Sequence, residues 1–78
     1  MKSTGIIRGL RGKKSLSQED VALVLGISRQ TYNSLENDLL KNDFRLIFKL
    51  LEVLDASESE QNDFFDALRQ DYKSYTMK

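Results

Sequence analysis

The chain has 78 residues with 12 basic and 12 acidic side chains, and it contains neither cysteine nor histidine. That composition excludes disulfides, the usual zinc and haem sites, and Ser-His or Cys-His catalysis, so we expect no metal, no cofactor and no enzyme activity. The length predicts a single domain over residues 1–78, near the lower size at which a core alone suffices. Since no apolar run resembles a signal or a membrane span, we expect a cytoplasmic protein that does not bind membranes.

The hydrophobic spacing predicts an all-α fold of five helices. Ser3 or Thr4 would cap a first helix that runs to about Lys13, with Ile7 and Leu10 on its apolar face. Acidic residues that lie close together in the sequence, such as Glu19 with Asp20 and Glu58 with Glu60, fall at predicted helix starts. Capping explains them there without any catalytic role.

Residues 17–37 predict two short helices joined by a tight turn. Ser17 suits the N-cap of the first helix, and Asp20 three residues later gives a near match to a capping box. Gly26 allows a sharp turn because glycine adopts positive φ easily. Ser28 would cap the second helix. The apolar residues expected to face the core are Val21, Ala22, Val24, Leu25, Ile27, Tyr32 and Leu35.

A polar loop over residues 38–42 precedes the last two predicted helices. Asn42 or Asp43 would cap the fourth helix, and Ser57 with Glu60 would form a capping box for the fifth. The apolar residues expected on the fourth helix are Phe44, Ile47, Phe48, Leu50, Leu51 and Leu54. Those on the fifth are Phe64, Leu68, Tyr72 and Tyr75, with Phe65 and Ala67 at its sides.

Residues 16–37, LSQEDVALVLGISRQTYNSLEN, resemble the helix-turn-helix of the Cro/CI-type regulators, also called the XRE family. The glutamine that starts the first helix, the alanine, the turn glycine with the Ile-Ser after it, and the Leu-Glu-Asn stand in the family register. The resemblance covers about residues 4–56 and implies a lambda-repressor-like DNA-binding domain. Two positions depart from the family: Tyr32 replaces the usual Ile or Val, and Asp38 replaces the usual glycine.

The second helix of the motif predicts a surface that contacts DNA bases. Near a helix N-terminus, an arginine can fork to guanine and a glutamine can pair with adenine in the major groove. The competing interpretation is an ordinary solvated helix surface. The side chains expected to contact bases are Arg29, Gln30 and Asn33, and Ser28 would touch either a base or the backbone.

A second group of side chains is expected at phosphates, which position a protein on DNA but specify no sequence. Gln18 begins the first helix of the motif, where the helix N-terminus is a natural anion site. The resemblance assigns a phosphate to Arg11 and implies that Glu36 orients its guanidinium; a purely structural pair is the alternative. The remaining expected phosphate contacts are Lys13, Asn37, Lys41 and Asn42.

The charges of the chain are divided unevenly although they balance. The first fifth is purely basic, and acidic residues lead from Leu50 onward. This pattern predicts a basic half that coincides with the DNA-reading helix and an acidic half that faces away from it. Solvated helix faces are the alternative.

Together these features predict a sequence-specific transcriptional repressor of the prophage type that binds a palindromic DNA operator as a homodimer. The fifth helix, about residues 57–75, would close the core through Phe64 and Leu68 or form a dimer interface through Phe65, Tyr72 and Tyr75. It could also bind a protein partner such as an antirepressor or a toxin. The alternative function is therefore an antitoxin that regulates its own gene, and a third is an interaction module that lost DNA binding.

Overall fold

A computed structural model of the chain describes the backbone of residues 2–76 and the side chains of residues 2–74, and this part contains five α-helices and no strand. The all-α prediction is therefore confirmed. The helices are α1 (Lys2–Lys13), α2 (Gln18–Leu25), α3 (Arg29–Asn37), α4 (Phe44–Val53) and α5 (Glu58–Thr76). A single turn of 3-10 helix, Leu39–Lys41, lies between α3 and α4.

The helices enclose one hydrophobic core. α1 packs on α5 and α3, and α2 packs on α3 and α4. Phe64 and Leu68 of α5 are buried in the core, so α5 completes the domain. The other members of the core cluster are Ile7, Leu10, Val21, Ala22, Leu25, Tyr32, Leu35, Leu39, Ile47, Leu50, Leu51 and Leu54.

The turn between α2 and α3 has the predicted local structure. Ser17 Oγ accepts a hydrogen bond from the Asp20 N–H at 3.0 Å, and the Asp20 carboxylate accepts one from the Ser17 N–H at 2.9 Å. Gly26 adopts the left-handed conformation, with φ of 74°. Ser28 Oγ accepts from the Thr31 N–H at 3.0 Å and caps α3. These local bonds fix where α2 ends and in which direction α3 leaves it.

The N-terminus of α1 is capped by α5, and the prediction that Ser3 or Thr4 caps it is wrong. α1 begins at Lys2, and the backbone N–H groups of Lys2 and Ser3 donate to the Asp71 carboxylate at 2.9 and 3.0 Å. The Ser3 hydroxyl donates to the same carboxylate. Ser3 and Thr4 are buried within the first turn of the helix. The acceptor stands 68 positions away from Ser3, so no local pattern indicates it.

Three apolar residues predicted for the core lie at the surface. They are Val24, Phe44 and Phe48, whose exposed fractions are 61%, 64% and 53%. α4 packs mainly on α2 and turns Ile47, Leu50 and Leu51 into the core, so the side of α4 turned away from the core stays open. A broad apolar side therefore exceeds what the fold can bury, and the excess remains exposed on α4.

The segment after α3 contains a helical turn where the sequence predicted only a polar loop. Leu39 is fully buried in this turn. Asp38 has φ of −145°, so this position does not need the glycine that is usual in the family. Asp43 caps α4 by accepting from the Arg45 N–H at 2.8 Å, whereas the Asn42 amide donates to the Asp38 carbonyl at 2.6 Å.

Replacing Asp71 with Ala should lower the free energy of unfolding by about 1–3 kcal/mol, because two N–H groups at the start of α1 lose their acceptor. Burial opposes ionisation of Asp71, but the hydrogen bonds from Ser3 and Lys2 outweigh it and lower the pKa of the carboxyl. The stabilisation is thus present above the unfolded-state pKa of about 3.9, and it disappears as the pH falls through the lower folded-state pKa. Urea unfolding at pH 7 and at acid pH measures both effects.

Asp66→Ala is the matched control, because Asp66 is a carboxylate of α5 that forms only an exposed ion pair with Arg69. Its effect on stability should stay within about 0.5 kcal/mol. Equal losses from the two substitutions would contradict the capping role of Asp71.

Candidate nucleic-acid interface

One side of α3 is exposed along its length and carries polar side chains. Since an α-helix has about 3.6 residues per turn, residues at this spacing share one side. They are Arg29, Gln30, Asn33 and Asn37. The opposite side packs into the core through Tyr32 and Leu35. Among the described residues, none forms a hydrogen bond or ion pair with the side chain of Arg29 or Gln30, so both can bind a ligand.

Gln18 connects the start of α2 to this side of α3. Its Nε2 donates to Asn33 Oδ1 at 3.1 Å. Gln18, Arg29, Gln30 and Asn33 line one shallow depression on the surface. The structure thus brings together three of the four predicted base contacts and one predicted phosphate contact.

The fourth predicted base contact, Ser28, is largely used within the protein. Its hydroxyl accepts from the Thr31 N–H and donates to Thr31 Oγ1 at 2.8 Å. Lys41 lies just beyond α3, where its exposed Nζ is 3.5 Å from the Asp38 carboxylate. The amide of Asn42 binds the Asp38 carbonyl, so one of its donors is engaged.

The predicted separation of basic and acidic halves is only partly present. Lys13 lies on the α5 side of α1, where its Nζ donates to Glu60 at 3.3 Å. Lys14 donates to Asp55 at 3.1 Å. Both ion pairs are exposed and therefore weak, but acidic groups do lie beside the basic segment.

A buried carboxylate, Glu36, joins α3 to α1. Glu36 Oε1 accepts from Arg8 Nε at 3.0 Å and from Arg11 Nη2 at 3.1 Å, and its Oε2 accepts from Arg11 Nε at 3.2 Å. Arg11 Nη1 also donates to the Leu16 carbonyl at 3.1 Å. The contact between Arg11 and Glu36 that the resemblance implied is present, and a second arginine shares the carboxylate.

The cluster formed by Arg8, Arg11 and Glu36 carries two positive charges and one negative charge at neutral pH. Burial opposes ionisation of Glu36, but the hydrogen bonds from Arg11, together with the nearby Tyr32 hydroxyl and Arg8, outweigh it and lower the pKa of the carboxyl. The bond to Glu36 raises the pKa of Arg11. Burial, reinforced by Glu36, raises the pKa of Tyr32, whose hydroxyl makes no hydrogen bond of ordinary geometry with the described residues.

Sequence reasoning missed two members of this cluster, Thr4 and Arg8. Thr4 Oγ1 donates to the Glu36 carbonyl at 2.7 Å, and Arg8 Nη2 donates to Asn37 Oδ1 at 2.9 Å. Thr4, Arg8 and Arg11 are spaced four and three residues apart, which places them on one side of α1. That spacing, extended back from Arg11, is the signal that identifies them.

The fold and the exposed face of α3 define the class of protein: a small all-α domain that presents one polar helix through a helix-turn-helix. A comparison with protein-family models matched residues 7–61 to the family described as Helix-turn-helix. The chain belongs to this family, that of the Cro/CI-type or XRE regulators, and is a DNA-binding transcriptional regulator. Domains of this family are DNA-binding regulatory modules and are not typically enzymatic. The comparisons with curated proteins and with solved structures found no match.

The described helices of the chain differ from membrane-spanning helices in the combination of length and apolar character. None of the helices within residues 2–76 is both long and apolar enough to cross a bilayer.

Replacing Glu36 with Gln should lower the free energy of unfolding by about 3 kcal/mol, because two guanidiniums lose a buried anionic partner. Since the folded-state pKa of Glu36 is lowered, its stabilisation is present above the unfolded-state pKa of about 4.3 and disappears as the pH falls through the folded-state value. Thermal unfolding between pH 3 and pH 7 measures the difference. Glu19→Gln, at an exposed position of α2, is the control; equal effects of the two substitutions would contradict a structural role for Glu36.

Proposed function

We propose that the protein is a repressor that binds a palindromic operator as a homodimer and blocks polymerase by occupying the promoter. The observation that carries the proposal is the exposed side of α3, where Arg29, Gln30 and Asn33 lie together above a buried face. A helix with this arrangement fits the major groove, which is wide enough to admit it.

The base contacts follow from the chemistry of these side chains. The guanidinium of Arg29 can donate to O6 and N7 of guanine, and the amide of Gln30 can pair with N6 and N7 of adenine. Each such contact discriminates between bases by about 1–3 kcal/mol. Asn33 has one acceptor engaged by Gln18, which fixes the orientation of its amide before DNA binds.

Phosphate contacts would border this surface at both ends of α3. Gln18 lies at the N-terminus of α2, and Asn37 and Lys41 lie at the end of α3 and just beyond it. The resemblance assigns a further phosphate to the cluster of Arg11 and Glu36. Lys13 and Asn42 complete the proposed set, although each already has a partner within the protein.

The short length of α3, the helix proposed to read the DNA bases, supports a dimer. α3 spans residues Arg29–Asn37, about 13 Å at 1.5 Å per residue, and so covers only a few base pairs. Selective binding therefore needs two half-sites, with centres about 34 Å apart on one face of the duplex.

The surface on which we place the second copy of the chain is an aromatic stripe on α4 and α5. Its members are Phe44, Phe48, Phe65 and Tyr72. Phe44 and Phe48 are exposed one turn apart on α4, and the Phe48 ring lies 5.8 Å from that of half-buried Phe65. Phe65 and Tyr72 share one side of α5, and Tyr72 lines a depression with Leu40. The stripe thus reaches the turn that follows α3, where a two-fold contact would hold two reading helices near each other.

Of the three side chains predicted for the dimer interface, Phe65 and Tyr72 belong to this stripe. The side chain of Tyr75 lies outside the described part of the chain. Phe44 and Phe48 join Phe65 and Tyr72 as proposed members, because both expose large apolar surface beside Phe65.

The proposed function is tested by selecting DNA from a random-sequence pool with the full chain. The enriched duplexes should contain two symmetric half-sites, and placing one of them over a promoter should lower transcription of a reporter gene. A pool that does not enrich contradicts sequence-specific binding, and a reporter that rises contradicts repression.

Replacing Gln30 with Ala should relax the preference at one base position of the enriched duplex and weaken binding to it by about 1–3 kcal/mol. Lys41→Ala should weaken binding to all sequences alike, because a phosphate contact carries no sequence information. Fluorescence anisotropy on the enriched duplex and on a shuffled duplex of the same composition measures both. If Gln30→Ala lowered affinity equally for the two duplexes, Gln30 would not contact a base.

Replacing Phe44 with Glu should shift the protein from dimer toward monomer, because it places a charge in the apolar stripe. Sedimentation equilibrium of the wild-type chain and the variant measures the change, with circular dichroism to check helix content. Leu23→Glu is the control, since Leu23 is an even more exposed apolar residue on α2, outside the stripe. A wild-type chain that stays monomeric, or a Phe44→Glu variant that dimerises normally, would refute this interface.

A further inference from the structure

We infer that Arg8, held in place by Glu36 and Asn37, is the residue of the buried cluster that binds a DNA phosphate. The inference rests on the proposed DNA-binding function and moves the phosphate contact of the cluster from Arg11, where the resemblance placed it, to Arg8. Arg11, by contrast, serves mainly to join α1 to α3.

The hydrogen bonds of the two arginines separate their roles. Arg11 directs all three of its guanidinium nitrogens at Glu36 or the Leu16 carbonyl, and its side chain is only 19% exposed. The Arg8 side chain is 51% exposed. Two of its five N–H groups donate to Glu36 and Asn37, and its Nη1 makes no hydrogen bond with any described residue. Arg8 therefore has both the access and the free donors that a phosphate needs.

The charge of the cluster favours an anion at Arg8. One carboxylate faces two guanidiniums, so one positive charge remains without a compensating negative charge. Glu36 is fully buried, and Arg11 is partly buried with each of its guanidinium nitrogens already donating a hydrogen bond. The excess charge is therefore accessible to a ligand at Arg8, where a phosphate would neutralise it by charge-assisted hydrogen bonds.

If α3 lies in a major groove, Arg8 is placed near the phosphate backbone that borders the groove. Its Nη2 binds Asn37, which shares the exposed side of α3 with Gln30 and Asn33. Asn37 lies seven residues beyond Gln30, about 10 Å along the helix axis. A helix that places Gln30 on a base would therefore bring Arg8 near one wall of a groove about 12 Å wide. Because Glu36 and Asn37 already orient the guanidinium, little side-chain freedom is lost on binding.

The test compares the salt dependence of DNA binding for the wild type, Arg8→Gln and Lys14→Gln, using the duplex enriched from the random pool. Lys14→Gln removes the same charge from the basic segment, at a residue that faces Asp55. We place three cationic phosphate contacts in each subunit, at Arg8, Lys13 and Lys41. About six charges are therefore neutralised per dimer, and log K of the wild type should fall against log salt with a slope of roughly −5. Arg8→Gln removes one contact per subunit, so its slope should be about −3.5 and its affinity about tenfold lower per subunit. Lys14→Gln should retain the wild-type slope.

Phosphate ethylation interference provides a readout that does not depend on stability, because it reports only on bound, folded protein. Ethylation should interfere with wild-type binding at a symmetric set of phosphates, and Arg8→Gln should lose one phosphate of that set in each half-site. If Arg8→Gln keeps the full set and the same slope as Lys14→Gln, Arg8 is purely structural and the inference fails. If the wild type itself binds no duplex, or binds without salt dependence, the proposed function fails.

Discussion

The burial of one carboxylate, Glu36, determines how the reading helix is held. A carboxylate without contact to water is stable in its charged form only when strong donors surround it. Arg8 and Arg11 supply those donors from α1, and Thr4 binds the carbonyl of the same residue. Since Glu36 is in the last turn of α3, these contacts fix the end of α3 on α1, while the Gly26 turn and the Ser28 cap fix its start. Both ends of the helix that faces DNA are thereby set.

The position of α1 in turn depends on α5. α1 contains three glycines, which weaken the intrinsic tendency of this segment to form a helix, so packing must stabilise it. Asp71 satisfies the first N–H groups of α1, and the buried side chains of α5 cover its apolar face. A helix outside the helix-turn-helix therefore supports the helix that holds Glu36. The surface proposed to bind DNA is thus connected through α1 to the surface proposed to form the dimer.

Local chemistry made part of this arrangement predictable. Ser17, Asp20, Gly26 and Ser28 act within four residues of their partners, so their caps and turn follow from the sequence alone. The capping role of Asp71 could not be predicted, because its partners Lys2 and Ser3 are almost a full chain length away. The exposure of Phe44 and Phe48 could not be predicted either, because it depends on which sides of α4 the neighbouring helices cover. For the proposed DNA surface, residue type and helical spacing predicted that Arg29, Gln30 and Asn33 share one exposed side of α3, where the structure has them. Arg8 was missed because its contacts with Glu36 and Asn37 join two separate helices.

On the proposal that Arg8 binds a phosphate, the same cluster would link the stability of the fold to DNA binding. With two guanidiniums on one carboxylate, the cluster of the free protein retains one positive charge without a negative partner. A phosphate at Arg8 would supply the second negative charge. Anything that binds the folded state alone stabilises it by mass action, so DNA should stabilise the contact between α1 and α3 as well as occupy α3. On the same proposal, the contact between α1 and α3 would hold the reading helix most firmly when the protein is bound to DNA.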